Sequence, residues 1–174
     1  MSMLNESGPS LQLNDVTVNA SQHVRVLRVH FSSDLSLEKH VSSVSAICFY
    51  HLRQLRRIRR SLDADSASTL VHAFVTSSVD YCNAILAGAP MTTADRLQRV
   101  LNACARVISD TKKFDQGLSR LMHQKLHWLD IPERVKYKLG MLTHQCLLGK
   151  APVYLSNCCI PVAQVTTRRY STLR

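Results

Sequence analysis

Residues 40–62 read HVSSVSAICFYHLRQLRRIRRSL, and they decide the fold. Val41, Val44, Cys48, Leu52, Leu55, Ile58 and Leu62 recur every three or four positions, the mark of one buried face on a long helix. Ser36 is placed to cap its start. Arg53, Arg57 and Arg60 fall on another side at i, i+4 and i+7, with Arg56 beside them and Tyr50 one turn earlier. An apolar stripe of this length has to be covered, so the flanking sequence should supply further helices.

It does so on the C-terminal side. The string SLDADS breaks the pattern, and Asp63 or Asp65 can cap a second helix. Leu70, Phe74, Tyr81, Cys82 and Ile85 read as its apolar stripe, running to a stop at Gly88-Ala89-Pro90. Thr92 or Thr93 caps a third helix, with Leu97, Val100, Leu101, Cys104, Val107 and Ile108 facing inward. Residues 111–130 are looser, with a short helix around 118–125 and Trp128 plugging the junction. Asp130 and Glu133 form a capping box with Pro132 in the first turn, which opens a last long helix. Val135, Leu139, Leu142 and Cys146 form its stripe and Gly149 ends it; the chain beyond is polar, basic and expected to fray.

The N-terminal side reads as β structure. Leu11, Leu13, Val16 and Val18 flank the turn-prone pair Asn14-Asp15. In VRVLRVHF (24–31) the alternation slips between Val26 and Leu27, which reads as a bulge. Strands this short need a partner sheet, so the sheet is expected to continue in something this chain lacks. The expected fold class is therefore mainly α: a short N-terminal β-hairpin or meander, a three-helix bundle and one further long helix. The expected divisions are a disordered leader over 1–10, the β segment over 11–35, the bundle over 36–109, and a connector with a frayed basic tail over 110–174.

Composition narrows the function. The chain has 174 residues and a net charge of +10, with five Gly and five Pro. Residues 51–60 hold five arginines and no acid, and residues 96–174 hold fourteen Lys or Arg against four acids. Such an excess points to a polyanionic partner. No run approaches the roughly 18 apolar residues of a membrane span, so no membrane is expected, and no secretory apolar core is visible. The six cysteines include no CxxC and read as reduced thiols. His123 and His127 in HQKLH lack the glutamate of a zinc-protease helix, so no metal site is expected. No GxSxG elbow and no Gly-rich phosphate loop occurs, so no catalytic residues are assigned.

With the helices placed, six strings stand in order: VRVLRVHFSSDLSLEKHV, FYHLRQLRRIRRSL, LVHAFVTSSVDYCNAILAGAP, RLQRVLNACARVI, LHWLDIPERVKYKL and KAPVYL. Together they resemble the region after the palm in reverse transcriptases of LINE-type (non-LTR) retrotransposons, over about residues 11–172. The resemblance implies that 11–31 are the last strands leaving the palm, that the following helices are the thumb, and that the rest is the connector. It implies a template–primer duplex of RNA or DNA as partner, the missing palm and fingers as the natural packing partner, and a nuclear location. The family's Ala-Asp-Asp motif, which holds its Mg²⁺ ions, has no counterpart in the sequence, so neither cofactor nor polymerisation is expected of this chain. Two positions depart from the family: Arg28 stands where it reads Gly, and Ser78-Val79-Asp80 lacks its preceding Arg, leaving Asp80 without that partner.

The candidate nucleic-acid-binding residues are Tyr50, Arg53, Arg56, Arg57 and Arg60, then Arg99 and Arg106 with Asn102 on the third helix, and Lys112 and Lys113 beyond it. Arg presents a planar fork that binds phosphate in bidentate fashion, and such contacts position a duplex without reading its sequence. The alternative is a solvated face whose charges pair with Asp63, Asp65 or Asp80. Two other functional readings stand beside duplex binding: an inert remnant of a retroelement, and a basic helical protein–protein module.

Overall fold

A computed structural model of the chain describes residues 10–112 and 115–160. The expected leader before Ser10, Lys113 and the basic tail from 161 lie outside the described residues. The chain is mainly α, with two short hairpins ahead of a series of helices.

Strands β1 (Leu11–Leu13) and β2 (Val16–Val18) pair antiparallel around Asn14, whose φ is +53°. Strands β3 (His23–Val26) and β4 (Val29–Ser32) form a second, separate hairpin with Val26 opposite Val29. The slip at Val26/Leu27 is therefore a two-residue turn and not a bulge. Leu27 and Arg28 sit at φ +46° and +67°. A tight hairpin needs positive φ at both central positions to match the strand twist, and Asn-Gly is the usual solution. Here two bulky residues fill them, so composition gave no turn signal. Val29 is buried, and the Tyr81 hydroxyl donates to the Leu27 carbonyl at 2.9 Å, which docks the turn onto the helices.

Helix α1 (Glu38–Ile58) buries Val41, Cys48, Leu52 and Leu55 as the periodicity requires. Ser36 does not cap it: its N–H donates to the Asp34 carboxylate at 2.9 Å, and the helix starts after Leu37 without a side-chain cap. Ile58 is also off the core, 48% exposed, because the chain tightens into a 3₁₀ turn at Arg59–Ser61 and the stripe ends at Leu55.

Asp63 then caps α2 (Ala64–Val71), accepting from Ser66 N–H at 2.7 Å. The rod continues through a π-helical turn at His72–Thr76 into α3 (Ser77–Asp80). Its buried stripe is Val71, Val75 and Val79, not the bulkier Leu70, Phe74, Tyr81, Cys82 and Ile85. A π turn takes an extra residue per turn and rotates everything after it. It also loosens backbone carbonyls, and neighbouring side chains satisfy them: Thr76, Ser77 and Ser78 hydroxyls donate to His72, Ala73 and Phe74 carbonyls, and the Cys48 thiol to Val75. The rod ends at Asp80, well before Gly88, where Tyr81 is extended and Cys82 left-handed.

Helix α4 (Met91–Ser109) follows Pro90, which is its cap residue; Thr92 and Thr93 lie inside the first turn. All six of its expected inward residues are buried. A short α5 (Leu118–Arg120) with another π turn leads to α6 (Ile131–Leu147), which carries the Asp130–Glu133 capping box. Val135 and Cys146 are buried on α6, Leu142 is half-buried, and Leu139 faces out. Helix α7 (Val153–Ser156) closes the described chain. One core joins α1, the α2–α3 rod and α4, with Met122 and Ile131 beneath and Trp128 packed at its edge. Asp80 is not orphaned: Arg134 of α6 meets it at 2.7 Å.

Leu27 is 80% exposed, so its left-handed backbone is not repaid by side-chain burial. Leu27→Asn should stabilise the fold by about 1 kcal/mol, read as a rise in the urea midpoint at unchanged m-value.

Candidate nucleic-acid interface

Helices α1 and α4 run parallel. Near their starts the Arg96 guanidinium donates to the Ser42 hydroxyl at 2.9 Å. At their ends Arg59 donates to the Val107 and Ile108 carbonyls at 2.7 and 2.8 Å, and to Leu62 at 2.7 Å. The last carbonyls of a helix lack partners within it, and that end carries partial negative charge. Arg59 answers both, and fixes the register of the two helices.

With that register set, a groove of about 460 Å³ opens between them, lined by Phe49 and Arg56 of α1, Arg99, Ala103 and Arg106 of α4, and Thr111. Three arginines from two helices converge there, and no carboxylate is among the described residues that line the groove. The Arg106 Nε is buried without a hydrogen-bond partner. Phe49 is 39% exposed, so an aromatic face stands beside the charges.

Of the sequence-derived candidates, the fold brings Arg56, Arg99 and Arg106 together. Arg53, Arg57 and Arg60 do not line the groove; they are exposed on the outward surface of the same segment, and Arg57 reaches only Gln54 at 3.4 Å. Among the described residues none of the four exposed arginines 53, 56, 57 and 60 forms an ion pair. Two of the proposed acidic partners are engaged elsewhere, Asp80 with Arg134 and Asp63 in its cap. The Ser66 amide and hydroxyl hold the Asp63 carboxyl below its usual range, with Arg59 adding a smaller pull.

Tyr50 is 53% exposed and meets His51 edge-on, away from the groove. Lys112 is exposed just past Thr111, its backbone N–H donating to Asp115 at 2.7 Å; Lys113 lies outside the described residues. Asn102 faces a different cleft, with Gln98 and Asp130. Sequence reading missed Phe49, Arg96 and Arg59. Arg96 carried a signal, one turn before Arg99; Arg59 was hidden inside a basic run.

No group of three or more His, Cys, Asp or Glu that could hold a metal occurs among the described residues. No helix among them is long and apolar enough to cross a membrane. Burial raises the Cys48 thiol to about 11 and pushes Cys104 up as well, so neither is an activated nucleophile. Compared with known proteins, the chain matches no family model, no curated sequence and no solved structure.

Arg59→Ala should lower stability by about 2–3 kcal/mol, since charged hydrogen bonds to buried carbonyls are lost. Arg59→Lys should recover only part of it, because an ammonium cannot span three acceptors in one plane. Urea unfolding of the three proteins is the check.

Proposed function

We propose that the chain binds a nucleic-acid duplex through backbone phosphates, as a non-catalytic, thumb-like piece resembling that of a LINE-type reverse transcriptase. The observation that carries this is the groove: Arg56, Arg99 and Arg106 converge from two helices with no carboxylate among the lining residues. Phosphates seated along it would meet bidentate donors in series, and the outward row of Arg53, Arg57 and Arg60 would take the flanking phosphates. Recognition of this kind follows backbone shape and carries no base readout. A template–primer hybrid is near A-form, which suits such contacts. Polymerisation is not part of the proposal, because the Ala-Asp-Asp carboxylates of the family are absent from the sequence.

A second reading concerns the hairpins. Leu11, Leu13, Val16 and Val18 of β1 and β2 are all more than half exposed. An apolar strand face of this kind supports packing against the palm of the same polyprotein. Arg28, at φ +67° where the family reads Gly, supports instead a decayed element copy.

The test is fluorescence anisotropy with a labelled RNA–DNA hybrid across a salt series. Wild type should bind with a steep negative slope of log affinity against log salt. The triple change Arg56→Ala, Arg99→Ala, Arg106→Ala should lose about three units of that slope. Equal slopes for the two proteins would move the interface elsewhere. A folded wild type that fails to bind at low salt would leave the inert remnant as the better account.

A further inference from the structure

On another flank of α1, the first turns of the helix, the β3–β4 hairpin and the α2–α3 rod enclose a pocket of about 250 Å³. It shares no residue with the arginine groove. Its polar lining is cationic or neutral: Arg25, Arg28 and His30 from the hairpin, His40 and Ser43 from α1, Ser77 and Ser78 from the rod and Tyr81 beyond it, with no Asp or Glu among the described residues that line it.

His40 is the central observation. It is only 7% exposed, and its Nδ1 is buried with no hydrogen-bond partner. A buried polar nitrogen is ordinarily satisfied, so an orphan one at a pocket wall asks for a ligand. Ser43 is half-buried, and no partner for its hydroxyl occurs among the described residues. Two of the other groups, Tyr81 and Arg28, are held in place. The Tyr81 hydroxyl is committed to the Leu27 carbonyl at 2.9 Å, and the Arg28 guanidinium lies over the Tyr81 ring at 5.9 Å. Burial, with a smaller push from His30, keeps the His40 imidazole below its ordinary pKa, so it stands neutral beside the two arginines.

We propose that this pocket binds the phosphate of a phosphomonoester, free or at the end of a nucleic-acid strand, with Arg25 and Arg28 neutralising its charge and His40 and Ser43 hydrogen-bonding its oxygens. The volume lies below the roughly 300–1,000 Å³ of a drug-sized site, which favours a small anion. Two guanidinium groups favour a dianionic monoester over the single charge of an internal phosphodiester. This proposal goes beyond duplex binding and does not depend on it.

The experiment uses the whole chain and NMR of its histidine side chains. Inorganic phosphate and uridine 5′-monophosphate are titrated in turn, then a short oligonucleotide with and without a 5′-phosphate. The expected result is a saturable shift of the His40 and His30 imidazole signals. It should persist in the Arg56→Ala, Arg99→Ala, Arg106→Ala protein. Arg25→Thr with Arg28→Gly should weaken binding about tenfold or more. Thr suits a strand, and Gly suits the positive φ at position 28, so this variant should melt no lower than wild type. Saturable shifts with the mononucleotide but no gain from the strand's 5′-phosphate would identify a free ligand; a gain would identify a strand end. Shifts that fail to saturate, or equal affinity in the Arg25/Arg28 variant, would overturn the proposal.

Discussion

Arg59 reaches across from the end of α1 and hydrogen-bonds the two carbonyls that close α4. The contact sets more than local stability. Apolar packing between parallel helices tolerates small slides, because one Leu or Val contact resembles the next. A planar guanidinium with three acceptors tolerates far less. Once Arg59 is seated on Val107 and Ile108, Arg56 lies one turn back on α1, where it lines the same groove as Arg106. The basic groove is a consequence of that register.

The same economy governs the acids. Asp63 is committed to the Ser66 amide, and Asp80 to Arg134. Asp130 takes part in the α6 capping box and also accepts from Gln98 at 2.8 Å, with His123 at 3.5 Å. These three carboxylates thus do structural work at helix ends and junctions. Among the described residues the arginines of α1 and α4 form no ion pair, and their field is turned outward.

Much of this was legible in the residues. The three-and-four spacing of Val41, Cys48, Leu52 and Leu55, and of Leu97 through Ile108, gave two of the three bundle helices and their buried faces. The α6 capping box was readable from Asp130 and Glu133 alone. The rod was misread because a π turn rotates its face, and because small Val residues, not the conspicuous aromatics, point inward. The β3–β4 turn was hidden because Leu27 and Arg28 hold backbone angles that composition disfavours. Arg56 and Arg106 are fifty positions apart, and no local pattern brings them into one groove; only helix packing does. The His40 pocket was less legible still, since it needs the distant α2–α3 rod folded back onto the β3–β4 hairpin and the start of α1.

The β1–β2 hairpin has a consequence of a different kind. It forms its own two-stranded sheet, with every residue of both strands exposed. A two-stranded hairpin is at best marginal in water, and each free edge presents unpaired amides and carbonyls to any passing strand. Leu, Val and Thr side chains make that edge a good template. The colloidal behaviour of the chain is thereby decoupled from the stability of its helical core: a protein whose bundle is intact can still self-associate through eight residues that contribute almost nothing to holding it together.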